Sequence, residues 1–298
     1  MRQSVPYSYY DLVRRHGLID ALLPDVDFPP PALTPLRKPI ADSTIGMYVS
    51  CGLYLKTDPP PARTNDLNYR LIDRSVPLSA LAMGHLSAVR MWAEQDLNVS
   101  YPRDRMIELE AEGVFRKLAD QAVSLVGSIS IYTALVEQAV PKILAEYERQ
   151  GVDLVFLFPF CPMCHRSTSV LARALEARGM PTVTTSTSWE MTKQYKPPRV
   201  AWLDFPLGCA AGRPNRPEQQ RDILRTVLQL VPEFREPWTI ARLPFQWSED
   251  GRRDWVETMD AVFLGEGHDI VRYNVAQHRK YGDDLGGRER DFVVRCNC

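Results

Sequence analysis

Residues 152–158 read Val-Asp-Leu-Val-Phe-Leu-Phe, a run nearly free of polar side chains. Such a run suits a strand covered on both faces, as in a parallel sheet. It leads into Cys161-Pro-Met-Cys164 and then a helical pattern over 167–178 carried by Val170, Leu171, Ala174 and Leu175. Gly179 supplies the C-terminal cap, and a second extended stretch follows at 181–185. Strand, loop, helix and strand in that order make a βαβ unit. The unit predicts an α/β fold with a parallel-rich sheet and helices on both faces. Ligands of such sheets bind outside the carboxyl ends of the strands, which is where this chain places two cysteines.

The same alternation extends along the chain. Residues 45–55 and 200–203 read as further strands. Leu135, Val136, Ala139, Val140, Ile143, Leu144 and Tyr147 fall on one helical stripe, with Pro141 starting or kinking a turn. Ile223, Leu224, Val227, Leu228 and Val231 mark a helix opened by Pro217, and Trp255, Val256, Met259, Val262 and Phe263 mark another. Ahead of all this, six prolines between Pro24 and Pro39 favour an extended arm. The expected organisation is an N-terminal arm over 1–38, an α/β catalytic domain over 39–247, and a helical C-terminal extension over 248–298 ending in a Cys-x-Cys tail.

Charge narrows the partners. Lys and Arg number 36 against 37 Asp and Glu, so the strong basic footprint of a phosphate-backbone binder is missing and nucleic acid is not expected. The uncharged stretch 121–136 is short and polar for a membrane span. Asp20 and Asp25 interrupt what would be the apolar region of an export signal after Arg14 and Arg15. The reading is of a cytoplasmic protein with no membrane partner, and the apolar side chains near its start suit packing in a homo-oligomer.

The six cysteines are Cys51, Cys161, Cys164, Cys209, Cys296 and Cys298. In a reducing compartment, close pairs point to redox chemistry or metal rather than to a disulfide scaffold. A helix N-terminus lowers a thiol's pKa with backbone donors and positive partial charge. Cys161 and Cys164 stand where a strand hands over to a helix, and His165 and Arg166 add local positive charge. One sulfur is therefore expected as thiolate nucleophile and the other as resolving thiol, with an external dithiol as reductant and no bound cofactor. Zinc on Cys161, Cys164, Cys296 and Cys298 is the alternative, giving a zinc-thiolate binding module. A thiol-based group transferase without net reduction shares the nucleophile. His85, Asp96 and Asn98 belong to a stretch rich in His, Asp, Asn and Arg, a candidate substrate-facing patch.

Taken together, 152–164 and the following Val170-Leu-Ala-Arg-Ala-Leu-Glu-Ala-Arg-Gly-Met-Pro-Thr-Val183 resemble the selenoprotein B family of glycine, sarcosine and betaine reductases. There the strand leads into selenocysteine-x-x-cysteine, so Cys161 matches the selenocysteine and Cys164 its partner. Asp204-Phe-Pro-Leu-Gly-Cys-Ala-Ala-Gly-Arg-Pro214 is similar to the family's Pro-Leu-Gly…Gly-x-Pro loop, which brings in Gly208 and Cys209. The segment from Arg70 through His85, Asp96 and Asn98 is similar to the amino-terminal part of the shorter members. The resemblance runs from about residue 38 to 247 and implies reductive cleavage of a small molecule, a C–N bond or similar. Cys161 is then the nucleophile, Cys164 the resolving thiol, and a thioredoxin-like protein the natural electron donor. Sulfur in place of selenium is the weaker nucleophile and poorer leaving group, so a substrate more activated than glycine is expected. The tail lies outside the resemblance. Its Cys296 and Cys298, beyond the glycine-containing stretch 282–287, are expected to serve as a redox shuttle to the Cys161–Cys164 pair.

Overall fold

In the computed structural model of the chain, residues 5–9, 28–85, 87 and 89–264 are described. Among them the main sheet has eight strands. These are β1 (Thr44–Val49), β3 (Arg70–Asp73), β5 (Lys117–Leu118), β6 (Gln121–Ser124), β7 (Leu154–Phe158), β8 (Thr182–Ser186), β9 (Arg199–Trp202) and β10 (Thr239–Arg242). Their spatial order is β10-β9-β8-β7-β1-β6-β3, with β5 also pairing with β1. Every pairing is parallel except that of β3 with β6. A small antiparallel pair, β2 (Leu53–Leu55) and β4 (Leu81–Met83), stands apart. The expected parallel-rich α/β sheet is present.

The alternation of a strand's side chains explains why 152–158 must be apolar throughout. Leu154, Phe156 and Phe158 enter one core, while Val155 and Leu157 enter the other. On the first face lie α1 (Arg90–Gln95), α2 (Arg103–Ala111) and α6 (Pro217–Leu230), contributing Trp92, Met106, Leu109, Ile223 and Leu224. On the second lie α3 (Val140–Arg149) and α4 (Pro162–Glu176), contributing Val140, Ile143, Tyr147, Leu171 and Leu175. A π-helical turn, Leu135–Ala139, runs directly into α3, with Pro141 just past the junction, at the irregularity that a helix-interior proline calls for. Two further helices are α5 (Trp189–Tyr195) and α7 (Trp255–Leu264). No helix among the described residues is long and apolar enough to cross a membrane.

The expected single strand over 45–55 is instead two. β1 ends at Val49 and β2 begins at Leu53, because Gly52 turns the chain at φ 65°, a conformation that disfavours any side chain. That break places Ser50 and Cys51 at the carboxyl end of β1.

The chain leaves β6 on one side of β1 and enters β7 on the other, through α3. The winding direction reverses there, so the carboxyl ends of β6, β1 and β7 form the switch point at which sheets of this kind bind ligands. The short segment 5–9 meets α7: the Tyr7 and Trp255 rings lie 4.9 Å apart and Tyr9 joins the first core. Of the tail, Cys296, Cys298 and the stretch 282–287 lie outside the described residues, as does most of the arm before residue 28.

Candidate active site

Three strand ends converge on one dithiol. Cys161 is the N-cap of α4, and its sulfur accepts the backbone N–H of Cys164 at 3.3 Å. The spacing of two residues brings the Cys164 sulfur back to within 3.0 Å of the Cys161 sulfur. Both thiols are free and buried. His85, fully buried just beyond β4, sets its Nε2 3.0 Å from each sulfur and 3.2 Å from the Ser128 hydroxyl. An anionic dithiol calls for the proton on Nε2. The His85 Nδ1, buried without a partner, is then a bare lone pair, less costly than a stranded N–H.

The surrounding residues hold this triangle in place. Ser50 donates its hydroxyl to the Phe158 carbonyl at 3.2 Å and accepts the Phe160 N–H at 2.9 Å, tying the end of β1 to the exit of β7. Gly127 passes so close that a Cβ there would stand 2.6 Å from the Cys164 sulfur and 2.8 Å from the Ser50 Cβ. Asn65 fixes the loop that carries Ser128. Its N–H donates to the Ser128 carbonyl, and its Oδ1 accepts the Ser130 N–H, each at 2.8 Å.

Burial opposes a charge on either thiol, yet the two respond in opposite directions. Burial, reinforced by the bond to a neighbouring thiolate, pushes Cys161 well above the usual thiol range. Against burial, the donated S–H of Cys161 and the facing His85 bring Cys164 well below it. The pair therefore gives up its first proton readily and holds its second, sharing one negative charge across 3.0 Å.

His165 does not supply the positive charge expected from the sequence. Thr187 donates its N–H to Nε2 at 3.2 Å, so Nδ1 carries the proton and donates to the Cys161 carbonyl at 2.8 Å. Burial pushes this imidazole down to about 4. It is a neutral strut between the cysteine turn and the end of β8. The sign follows from a folded value below the ordinary histidine value of 6.5. The stabilisation is complete above about pH 6.5 and is lost as pH falls toward 4. At pH 5 the loss should be about 2 kcal/mol. Urea denaturation at pH 7 and pH 5 measures it, and His165→Gln should flatten the difference; an equal slope in that variant would assign it to other groups.

The remaining residues singled out from the sequence are dispersed. Arg70 is half-exposed and bonds the carbonyls of Pro59 and Asn68. Asp96 accepts from the Asn215 N–H at 3.0 Å and from Gln220 at 2.8 Å. Although burial opposes its charge, these bonds and those from Asn98 bring its carboxyl below the usual range. Asn98 bonds Asp96 and Asp104, and the Gly208 carbonyl accepts the Ser100 hydroxyl at 2.8 Å. Cys209 is buried in the first core, its thiol pushed well above the usual range by burial and then by Asp96. Of the proposed patch, His85 is the residue that meets the sulfurs. Ser50, Asn65, Gly127 and Ser128 were not visible from the sequence. The break after residue 49 and the small-residue run Gly127-Ser128 were their faint signals.

The ligand atoms of His85, Cys161 and Cys164 lie within 4.8 Å of one another, a spacing that suits a metal ion. The four-cysteine zinc alternative needs Cys296 and Cys298, outside the described residues.

The fold is a mostly parallel α/β sheet with a buried pair of thiols and an imidazole at its switch point, and the chain's relatives are reductase components. It is 28% identical over 219 residues to the D-proline reductase subunit gamma of Acetoanaerobium sticklandii, covering 74% of this chain and 90% of the relative. It is 25% identical over 214 residues to the glycine reductase complex component B subunit gamma of Carboxydothermus hydrogenoformans, covering 69% of this chain but 48% of that relative. The resemblance to the selenoprotein B type read from the sequence stands, at low identity. It supports a reductase-type role at family level. No protein-family model matches the chain. No solved structure matches it.

Proposed function

We propose that the chain is the thiol-bearing component of a reductase that cleaves an activated bond, C–N or similar, in a small amino-acid-like molecule. The observation that carries this reading is His85 Nε2 at 3.0 Å from two sulfurs that are themselves 3.0 Å apart. That cluster holds a nucleophile, a second sulfur to resolve the adduct, and a proton carrier at one buried point.

Cys161 is the attacking sulfur. It sits at the helix N-terminus, where the Cys164 N–H stabilises charge on it, and its proton passes across to Cys164 as it attacks. A C–S bond forms as the C–N bond breaks, and the amine leaves with a proton delivered through His85. Cys164 then attacks the Cys161 sulfur. An S–S bond forms as the C–S bond breaks, and the electron pair goes to carbon, which takes a proton. The substrate gains two electrons and two protons, and the sulfur pair becomes a disulfide. An external dithiol, a thioredoxin-like protein being the natural donor, restores it. The relatives' names describe subunits, so this chain is read as working with partner chains in the cytoplasm.

The test is a dithiol-coupled assay of the protein with its co-purifying partners, offered D-proline, glycine and their N-alkylated analogues. One dithiol should be oxidised per bond cleaved, and His85→Phe should lower turnover about 10²–10⁴-fold. Cleavage without dithiol consumption would replace the reductase with a group transferase.

A further inference from the structure

The cluster used by the chemistry above also offers three ligand atoms, two sulfurs and one imidazole nitrogen, all within reach of a single ion. We infer that His85, Cys161 and Cys164 form an exchangeable site for a soft divalent cation of the zinc and cadmium class, which masks the dithiol when bound.

Both thiols and the imidazole are buried and face one another. Thiolate and imidazole donors select soft or borderline ions over calcium or magnesium. Tetrahedral zinc, with Zn–S near 2.3 Å, would set the sulfurs about 3.8 Å apart. The observed 3.0 Å therefore needs an opening of about 0.8 Å, a small side-chain rotation. The charge also balances, because the ion displaces the proton the sulfurs share. Two thiolates and a dication are neutral together, which suits a buried site.

Two features make the site exchangeable rather than structural. The oxygens beside the cluster among the described residues include the Ser128 hydroxyl and the Ser50 carbonyl, both weak ligands for a soft ion, so one vertex is left to water or an added thiol. Ligation through Nε2 also fixes the His85 proton on Nδ1. That atom is buried with no partner, whereas ligating histidines ordinarily donate this N–H to a carbonyl or carboxylate. The stranded donor weakens the site. Two sulfurs held by one cation cannot join to each other, so the disulfide step that completes the catalytic cycle and the bound cation exclude one another.

This inference does not rest on the reductase reading, because its test uses no substrate. The full chain carrying Cys296→Ser and Cys298→Ser, which removes the tail thiols as competitors, is reduced, stripped with chelator and titrated with Cd²⁺. A sulfur-to-cadmium charge-transfer absorption should saturate at one ion per chain, and iodoacetamide labelling of Cys161 should stop until EDTA is added. His85→Ala should weaken binding at least tenfold, and Cys161→Ser or Cys164→Ser, shown to be folded by circular dichroism, should lose the band. The inference is overturned if labelling proceeds unchanged at one equivalent of metal, or if the band survives in both cysteine variants.

Discussion

Cys161→Ser is expected to abolish dithiol-dependent turnover, and Cys164→Ser to stall it after one event with the substrate carbon bonded to Cys161. The difference between the two variants follows from their places in the cluster. Serine at 161 removes the atom proposed to attack carbon, and a hydroxyl at a helix N-terminus stays protonated at neutral pH, so turnover should fall by three orders of magnitude or more, on the order of other nucleophile losses. Serine at 164 keeps the attack but removes the sulfur 3.0 Å away that would release the adduct. It also removes the acceptor that holds the shared charge, so single-turnover attack should slow and move to higher pH. Intact-protein mass spectrometry after incubation with substrate reads the outcome directly. A mass increase in Cys164→Ser that is absent from Cys161→Ser fits the assigned order. An adduct in Cys161→Ser instead would exchange the roles of the two sulfurs, and turnover undiminished in both would remove the dithiol from the reaction.

The sequence disclosed the framework because the framework is local. An apolar run of strand length, a cysteine turn, an amphipathic helix and a capping glycine lie in consecutive residues, and their order alone specifies the βαβ unit. The dithiol was legible for the same reason, since Cys161 and Cys164 are three positions apart at a helix start. His85 was visible only as one histidine in a polar stretch. Its meeting with the sulfurs depends on β4 and the Gly52 turn, contacts separated by more than seventy residues. Ser50 and Ser128 are ordinary serines until β1 is laid between β7 and β6. Asp96 and Asn98 show the opposite error: their density of polar groups looked like a substrate patch, whereas the bonds they make serve helix starts and the loop before α6. His165 misled through adjacency, because a residue next to the cysteine turn in sequence points along the helix to a different strand end.

At the far edge of the sheet from the cysteines, one carboxylate joins four segments, and its loss should be the most destabilising single change in the fold. Glu176, the last residue of α4, is completely buried against Arg199, the first residue of β9. It also accepts the Thr182 N–H at 2.7 Å and the Thr182 hydroxyl at 2.9 Å at the start of β8, and the Thr34 N–H of the proline-rich segment. Arg199 in turn donates to the carbonyls of Thr34 and Thr182. Burial pushes Glu176 up and Arg199 down, so each charge depends on the other to exist there. Glu176→Ala strands a buried guanidinium and two backbone donors, and should cost about 3–5 kcal/mol in urea denaturation. Arg199→Met alone should cost a similar amount by stranding the carboxylate. Glu176→Leu combined with Arg199→Met leaves neither charge unpaired and should recover part of the sum, because apolar replacement of a whole buried pair is far cheaper than breaking it. A Glu176→Ala protein within about 1 kcal/mol of the parent would mean that solvent reaches Arg199 and that the four-way junction is not closed.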